Sequence, residues 1–353
     1  MARGQQEGFE QQSQMKSTLS KWIYNIAGMS KGPVEAALIY FLLSLYLHLP
    51  YLKYFSRIEL LLVAIPPIGA LGCFILSTRY AKTFSASILA GAIYAFCPFT
   101  LAFSAYHRFA GIPAAMAPWL FIPAVYISLP KNLSSYSNAV KAGLAILGAL
   151  TIGLFFYLLS LESIGPFFPM PLVKTQLSNL AGISLPLTGN AQDFVFSFYH
   201  LPLCAAVLGL LVYICKGSFA LIVVGSAAFG LTFCGPFMET PPIAWGLLTV
   251  ICCSILAAVG AEGIVSAKKA NAKWMFVSLL VSAVLSVFAF TNGQLLSGGI
   301  FAAAAFFLAA TIMALRKSAD CQFALWTVFY ISCCADILWG AKYTLEQIFG
   351  YGF

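Results

Sequence analysis

Hydrophobic runs set the rhythm of this chain. They recur near residues 34–50, 58–77, 84–105, 110–129, 138–159, 200–215, 218–236, 241–263, 274–291, 298–315 and 322–340, and the polar positions fall almost wholly between them. About 20 apolar residues coiled as helix cross a hydrocarbon layer of about 30 Å. The one-in-two alternation of a membrane barrel is missing, and backbone polar groups inside a bilayer must be paired within the segment. The pattern therefore predicts an all-α, polytopic membrane bundle of about eleven transmembrane helices. Residues 89–130 stand out, because two long apolar runs there are parted only by the short polar turn Tyr106, His107 and Arg108.

The regions between the runs refine this picture. Residues 1–32 begin polar and glutamine-rich with no apolar signal segment, so they are expected in the cytoplasm. Met15, Leu19, Trp22, Ile23 and Ile26 recur there at helical spacing with Lys16, Lys21 and Lys31 outside the stripe. That fits a helix lying on an anionic membrane surface, with a disordered tail as the alternative. Residues 160–199 carry Pro166, Pro169, Pro171 and Pro186 with Glu162, Lys174 and Asp193, too broken to span and too long for a plain connector. They are expected to fold over the outer mouth. No internal repeat or linker divides residues 33–353, which read as one transmembrane domain.

Composition agrees, with 61% hydrophobic and only 8% charged residues and a mean hydropathy of +0.91. Soluble domains carry about 25% charged residues. The net charge of +8 does not point to nucleic acid, because the 19 Lys and Arg form no dense basic block. They report sidedness instead. With the N-terminus inside, 14 fall on the cytoplasmic side and 5 (Lys53, Arg57, Arg108, Lys174, Lys342) outside, as the positive-inside rule requires. The C-terminus is then external. The ten cysteines lie mostly within apolar runs and read as buried thiols, and no metal-ligand spacing occurs.

That orientation gathers His48, Lys53, Arg57, Glu59, His107, Arg108, Glu162, Lys174, Asp193, His200 and Glu239 on one external face. Such a set suits a lipid-phosphate substrate: arginine grips phosphate through a charge-assisted fork, and a carboxylate or imidazole takes a proton from a hydroxyl. The plain alternative is a wetted surface. Asp336 differs, lying deep in the last run, where a carboxylate is costly. Ion coupling, a structural hydrogen bond between helices, and a position nearer the external end are all open to it. Pro66, Pro67, Pro98, Pro113, Pro118 and Pro123 predict interrupted helices of the kind that line transporter sites or lipid grooves.

Several stretches resemble, in order, the multi-pass membrane glycosyltransferases of the GT-C class, particularly the bacterial group that glycosylates cell-envelope polymers. AGAIYAFCPF (90–99) is followed by a turn with His107 and a proline-bearing helix through Pro113 and Pro118. FYHLPLCAAVLGL (198–210), LTFCG (231–235) and PPIAWGLLTVICCSILAAVGAEG (241–263) follow in the family's order. The resemblance implies sugar transfer from a polyprenyl-phosphate carrier to an external acceptor. Arg108 and His107, with Lys53 or Arg57, would steady the phosphate. Glu162 or Asp193 would act as base, and the family's acidic loop can hold a divalent cation. Here the first external loop, 51–57, has no acid, and the family's front helix has no counterpart. An inactive member, a non-catalytic subunit docked on a membrane-protein partner, and a transporter or lipid-linked-sugar flippase are the competing expectations.

Overall fold

The computed structural model describes residues 31–55, 60–106, 111–128, 138–164, 220–235, 242–265, 272–292, 295–314 and 319–350. These residues are all-helical. Eleven α-helices follow in chain order: α1 Lys31–His48, α2 Leu61–Ser77, α3 Phe84–Phe96, α4 Pro98–Tyr106, α5 Gly111–Ser128, α6 Asn138–Ile164, α7 Ala220–Thr232, α8 Gly246–Val265, α9 Ala272–Thr291, α10 Leu295–Ala314 and α11 Ala319–Gly350. Short 3-10 turns occupy Leu52–Tyr54 and Pro242–Trp245. The expected span near 200–215, the amphipathic stripe before residue 31 and the loop beyond residue 164 lie outside the described residues.

The third expected span divides in two. Pro98 has no N–H and disfavours helical geometry in the residue before it, so Cys97 is extended (φ −69°, ψ 151°) and α3 and α4 meet at 45°. Cys97 then serves as the N-cap of α4, its Sγ accepting the Thr100 N–H at 3.5 Å.

The other prolines do not break their helices, contrary to expectation. A proline frees the carbonyl four residues earlier, and neighbouring side chains answer three such carbonyls. Ser44 Oγ on α1 donates to Val63 O at 2.7 Å, the carbonyl freed by Pro67 in α2. Tyr94 Oη on α3 donates to Ala114 O, freed by Pro118 in α5. Cys97 Sγ donates to Tyr94 O at 3.4 Å, freed by Pro98. With partners supplied sideways, α2 and α5 run on.

Helices α2, α3 and α8 form the centre, flanked by α1, α5, α7 and α11; α6 packs outside α5, and the α9–α10 hairpin joins through α11. Small residues set the closest approaches. A Cβ on Gly91 would stand 2.2 Å from Tyr40 Oη and 2.5 Å from Ala70 O. Tyr40 Oη itself donates to Ile88 O at 2.8 Å, tying α1 to α3.

Several helices are turned inside out relative to those of a water-soluble protein. On α9 Ser278, Ser282 and Ser286 are buried while Phe276, Leu280, Val284, Val287 and Phe290 face outward. Ser286 Oγ donates to Gly298 O of α10 at 2.8 Å. Large apolar side chains likewise cover the outer faces of α1 and α6, including Leu38, Phe41, Leu42, Ile146, Leu150 and Leu154. Among the described residues no single helix is long and apolar enough to cross a membrane; the bent pair Phe84–Phe96 with Pro98–Ser104 reaches that length and composition only when its two halves are taken together.

Candidate functional site

The antiparallel packing gives the bundle two ends. At one, the Phe349 ring near the end of α11 lies 5.3 Å from Tyr51 and 5.2 Å from Phe55, on either side of the Leu52–Tyr54 turn. Ala102 of α4 packs against Tyr343 and Ile348 of α11. The Gly111 backbone that opens α5 abuts Ile65 and Ser104. At the other end, the Lys82 N–H donates to Glu262 Oε2 at 2.7 Å, and Phe84 packs on Phe74 with ring centroids 5.6 Å apart.

Two of the residues expected to handle substrate fall at the first end. Lys53 is exposed in the Leu52–Tyr54 turn. Glu162 belongs to the last turn of α6. Phe121 and Phe155 have ring centroids 5.2 Å apart, and with only nine residues between the end of α5 and the start of α6 this contact requires the two helices to run antiparallel, so the Glu162 backbone returns toward the level where α5 begins. Arg57, His107, Arg108 and Asp193 lie outside the described residues, but the helix ends flanking 107–110, Tyr106 of α4 and Gly111 of α5, are both at this end.

Other side chains there were not singled out by the sequence. Partial burial, and secondarily the charge of Glu346, push the Tyr51 phenol above its ordinary range, so it stays protonated and keeps its donor. Glu346 pairs with Lys342 one turn back at 3.7 Å, both exposed. His48, at the end of α1, is buried and holds Ser44 O from Nδ1 at 2.8 Å. A carbonyl only accepts, so Nδ1 carries the proton. Trp339 stacks on Tyr343 at 5.7 Å. An ammonium, phenol donors and an aromatic rim form a surface able to receive an anionic headgroup above an apolar stem.

Asp336 lies midway along α11. It is 2% exposed and lies between Tyr330, which faces Ser85 in the first turn of α3, and Tyr343, which faces α4. It shares the packed face of α11 with Cys333, Ile337, Gly340, Ala341, Thr344 and Leu345. Among the described residues no group of three His, Cys, Asp or Glu side chains is placed to hold a metal ion.

No protein-family model matches the chain, and neither a curated protein nor a solved structure matches it.

Proposed function

We propose that the protein is a multi-pass membrane protein whose Lys53-bearing end handles a lipid-linked phosphate, as GT-C glycosyltransferases do when a sugar leaves a polyprenyl-phosphate carrier. Membrane insertion is supported by the inverted burial of α9, where hydroxyls line the helix contact and Phe, Leu and Val face out. Small and hydroxylated interfaces with apolar exteriors are what lipid, not water, favours.

The observation that supports the substrate reading is the placement at one end of three chain features: the Lys53 turn, the helix ends on either side of residues 107–110 and the close of α11. Arg108 and Lys53, aided by His107 and Arg57, would hold the phosphate, and Glu162 or Asp193 would take the acceptor's proton. The test measures polyprenyl-phosphate binding and sugar transfer by the purified protein in lipid nanodiscs. Arg108→Ala should weaken binding at least tenfold and lower any transfer by about 100- to 1,000-fold with unchanged abundance. Equal binding by wild type and Arg108→Ala rejects the reading, whether or not sugar is transferred.

A transporter or flippase is favoured by one observation, the burial of Asp336 halfway along α11. In that reading Asp336→Asn abolishes movement of the lipid-linked sugar across proteoliposomes and leaves binding intact.

A further inference from the structure

Tyr94 joins the two breaks in the helix ladder that flank the chain's polar turn. Its own carbonyl is freed by Pro98 and accepts from Cys97 Sγ at 3.4 Å. Its hydroxyl donates to Ala114 O, which Pro118 deprives of an intrahelical donor. The ring is fully buried against Gly69, where a Cβ would stand 3.2 Å from Tyr94 Cε1. Ala114 belongs to the first turns of α5, immediately after 107–110, and beside it Gly111 is wedged against Ile65 and Ser104.

We propose that Tyr94 is a positioning residue: its hydroxyl takes the place of the amide that Pro118 lacks, and so fixes the opening turns of α5 against α3. Without it, Ala114 O would lie buried with no donor, and an unpaired buried carbonyl is relieved by water entry or helix opening. The opening would fall in the turns next to His107 and Arg108. Its consequence for phosphate binding rests on the function proposed above; the fixing of α5 does not. The same arrangement recurs where Ser44 Oγ donates to Val63 O opposite Pro67, so hydroxyl replacement of a proline's missing donor is a repeated device in this bundle.

The device predicts a specific rescue. Tyr94→Phe removes one oxygen and leaves the ring, while Pro118→Ala restores an N–H to Ala114 O from within α5. Hydrogen exchange by mass spectrometry on the full-length protein in detergent reads the amides of Ala115, Met116 and Ala117, the first in α5 with intrahelical acceptors. Tyr94→Phe should speed their exchange by about 3- to 20-fold, the range expected for one interhelical hydrogen bond, with α9 and α10 unaffected as internal reference. Tyr94→Phe/Pro118→Ala should return the rate to that of Pro118→Ala alone. Unchanged exchange in Tyr94→Phe overturns the proposal, and so does acceleration that Pro118→Ala fails to reverse. Arg108→Ala should leave this exchange untouched, so loss of the phosphate-binding reading and loss of the Tyr94 role are separate results.

Discussion

Gly91 and Gly143 look alike in the sequence, each a glycine inside an apolar run, yet their surroundings are opposite. A Cβ at Gly91 would collide with Tyr40 Oη at 2.2 Å and Ala70 O at 2.5 Å, and the second of these is backbone that cannot swing away. At Gly143 nothing lies within 4 Å. Gly91→Ala should therefore cost about 1–3 kcal/mol through overpacking, whereas Gly143→Ala should be neutral or gain up to about 1 kcal/mol of helix propensity. Denaturant-induced unfolding in detergent micelles compares the two, and equal effects would mean that α1 and α3 do not meet closely at Gly91. The distinction was invisible beforehand because it depends on which residues from α1 and α2 arrive opposite Gly91, and periodicity carries no information on that. The same holds for Ser44 and Tyr94. Both are unremarkable polar atoms in apolar runs until the carbonyls freed by Pro67 and Pro118 are found beside them.

Helices were the most legible level. Runs of apolar residues marked α1, α2, α5, α9 and α10 to within a few residues, because in a chain of this composition the polar connections are short and abrupt. Two features escaped for identifiable reasons. Proline reads as a breaker in sequence, but whether a helix breaks depends on partners elsewhere, so α3 and α4 part at Cys97 and Pro98 while α2 and α5 continue. The last apolar run ends near 340, where Lys342 and Glu346 interrupt the hydropathy, yet α11 continues; those two side chains face outward, and Ala341, Thr344 and Leu345 carry the buried face onward toward Gly350. The repeat of four from Cys333 through Ile337, Ala341 and Leu345 is the signal in the sequence for that extension. It matters for the candidate site, since Phe349 in this added length meets Tyr51 and Phe55 around the Lys53 turn. Each aromatic pair contributes about 0.5–1.5 kcal/mol. Phe349→Ala should accordingly raise amide exchange at 51–55 by roughly tenfold, with Phe349→Leu intermediate; no change in either variant would mean that α11 does not steady this turn.

At the scale of the whole molecule, the packing fixes which chain segments share an end, while the distribution of Lys and Arg predicts, for the membrane protein proposed above, which side each end faces. These are independent arguments. Phe349 on Tyr51 and Tyr343 on Ala102 put Lys53 and Lys342 together, and the Lys82 bond to Glu262 belongs to the opposite end. The charge count separately assigns Lys53 and Lys342 to the exterior and Lys82 to the cytoplasm. A membrane-impermeant amine reagent applied to intact cells, with the modified lysines identified by peptide mass, tests both at once. Lys53 and Lys342, both exposed, should react together from outside, and Lys82 only after the membrane is opened. If Lys53 and Lys342 react from different sides, the parallel arrangement of α1 and α11, whose C-terminal ends meet at Phe349, is wrong. If they react together but only after permeabilisation, the bundle stands and the end proposed to bind a headgroup faces the cytoplasm. The lipid-linked substrate would then have to be presented there, before any transfer to the outer leaflet.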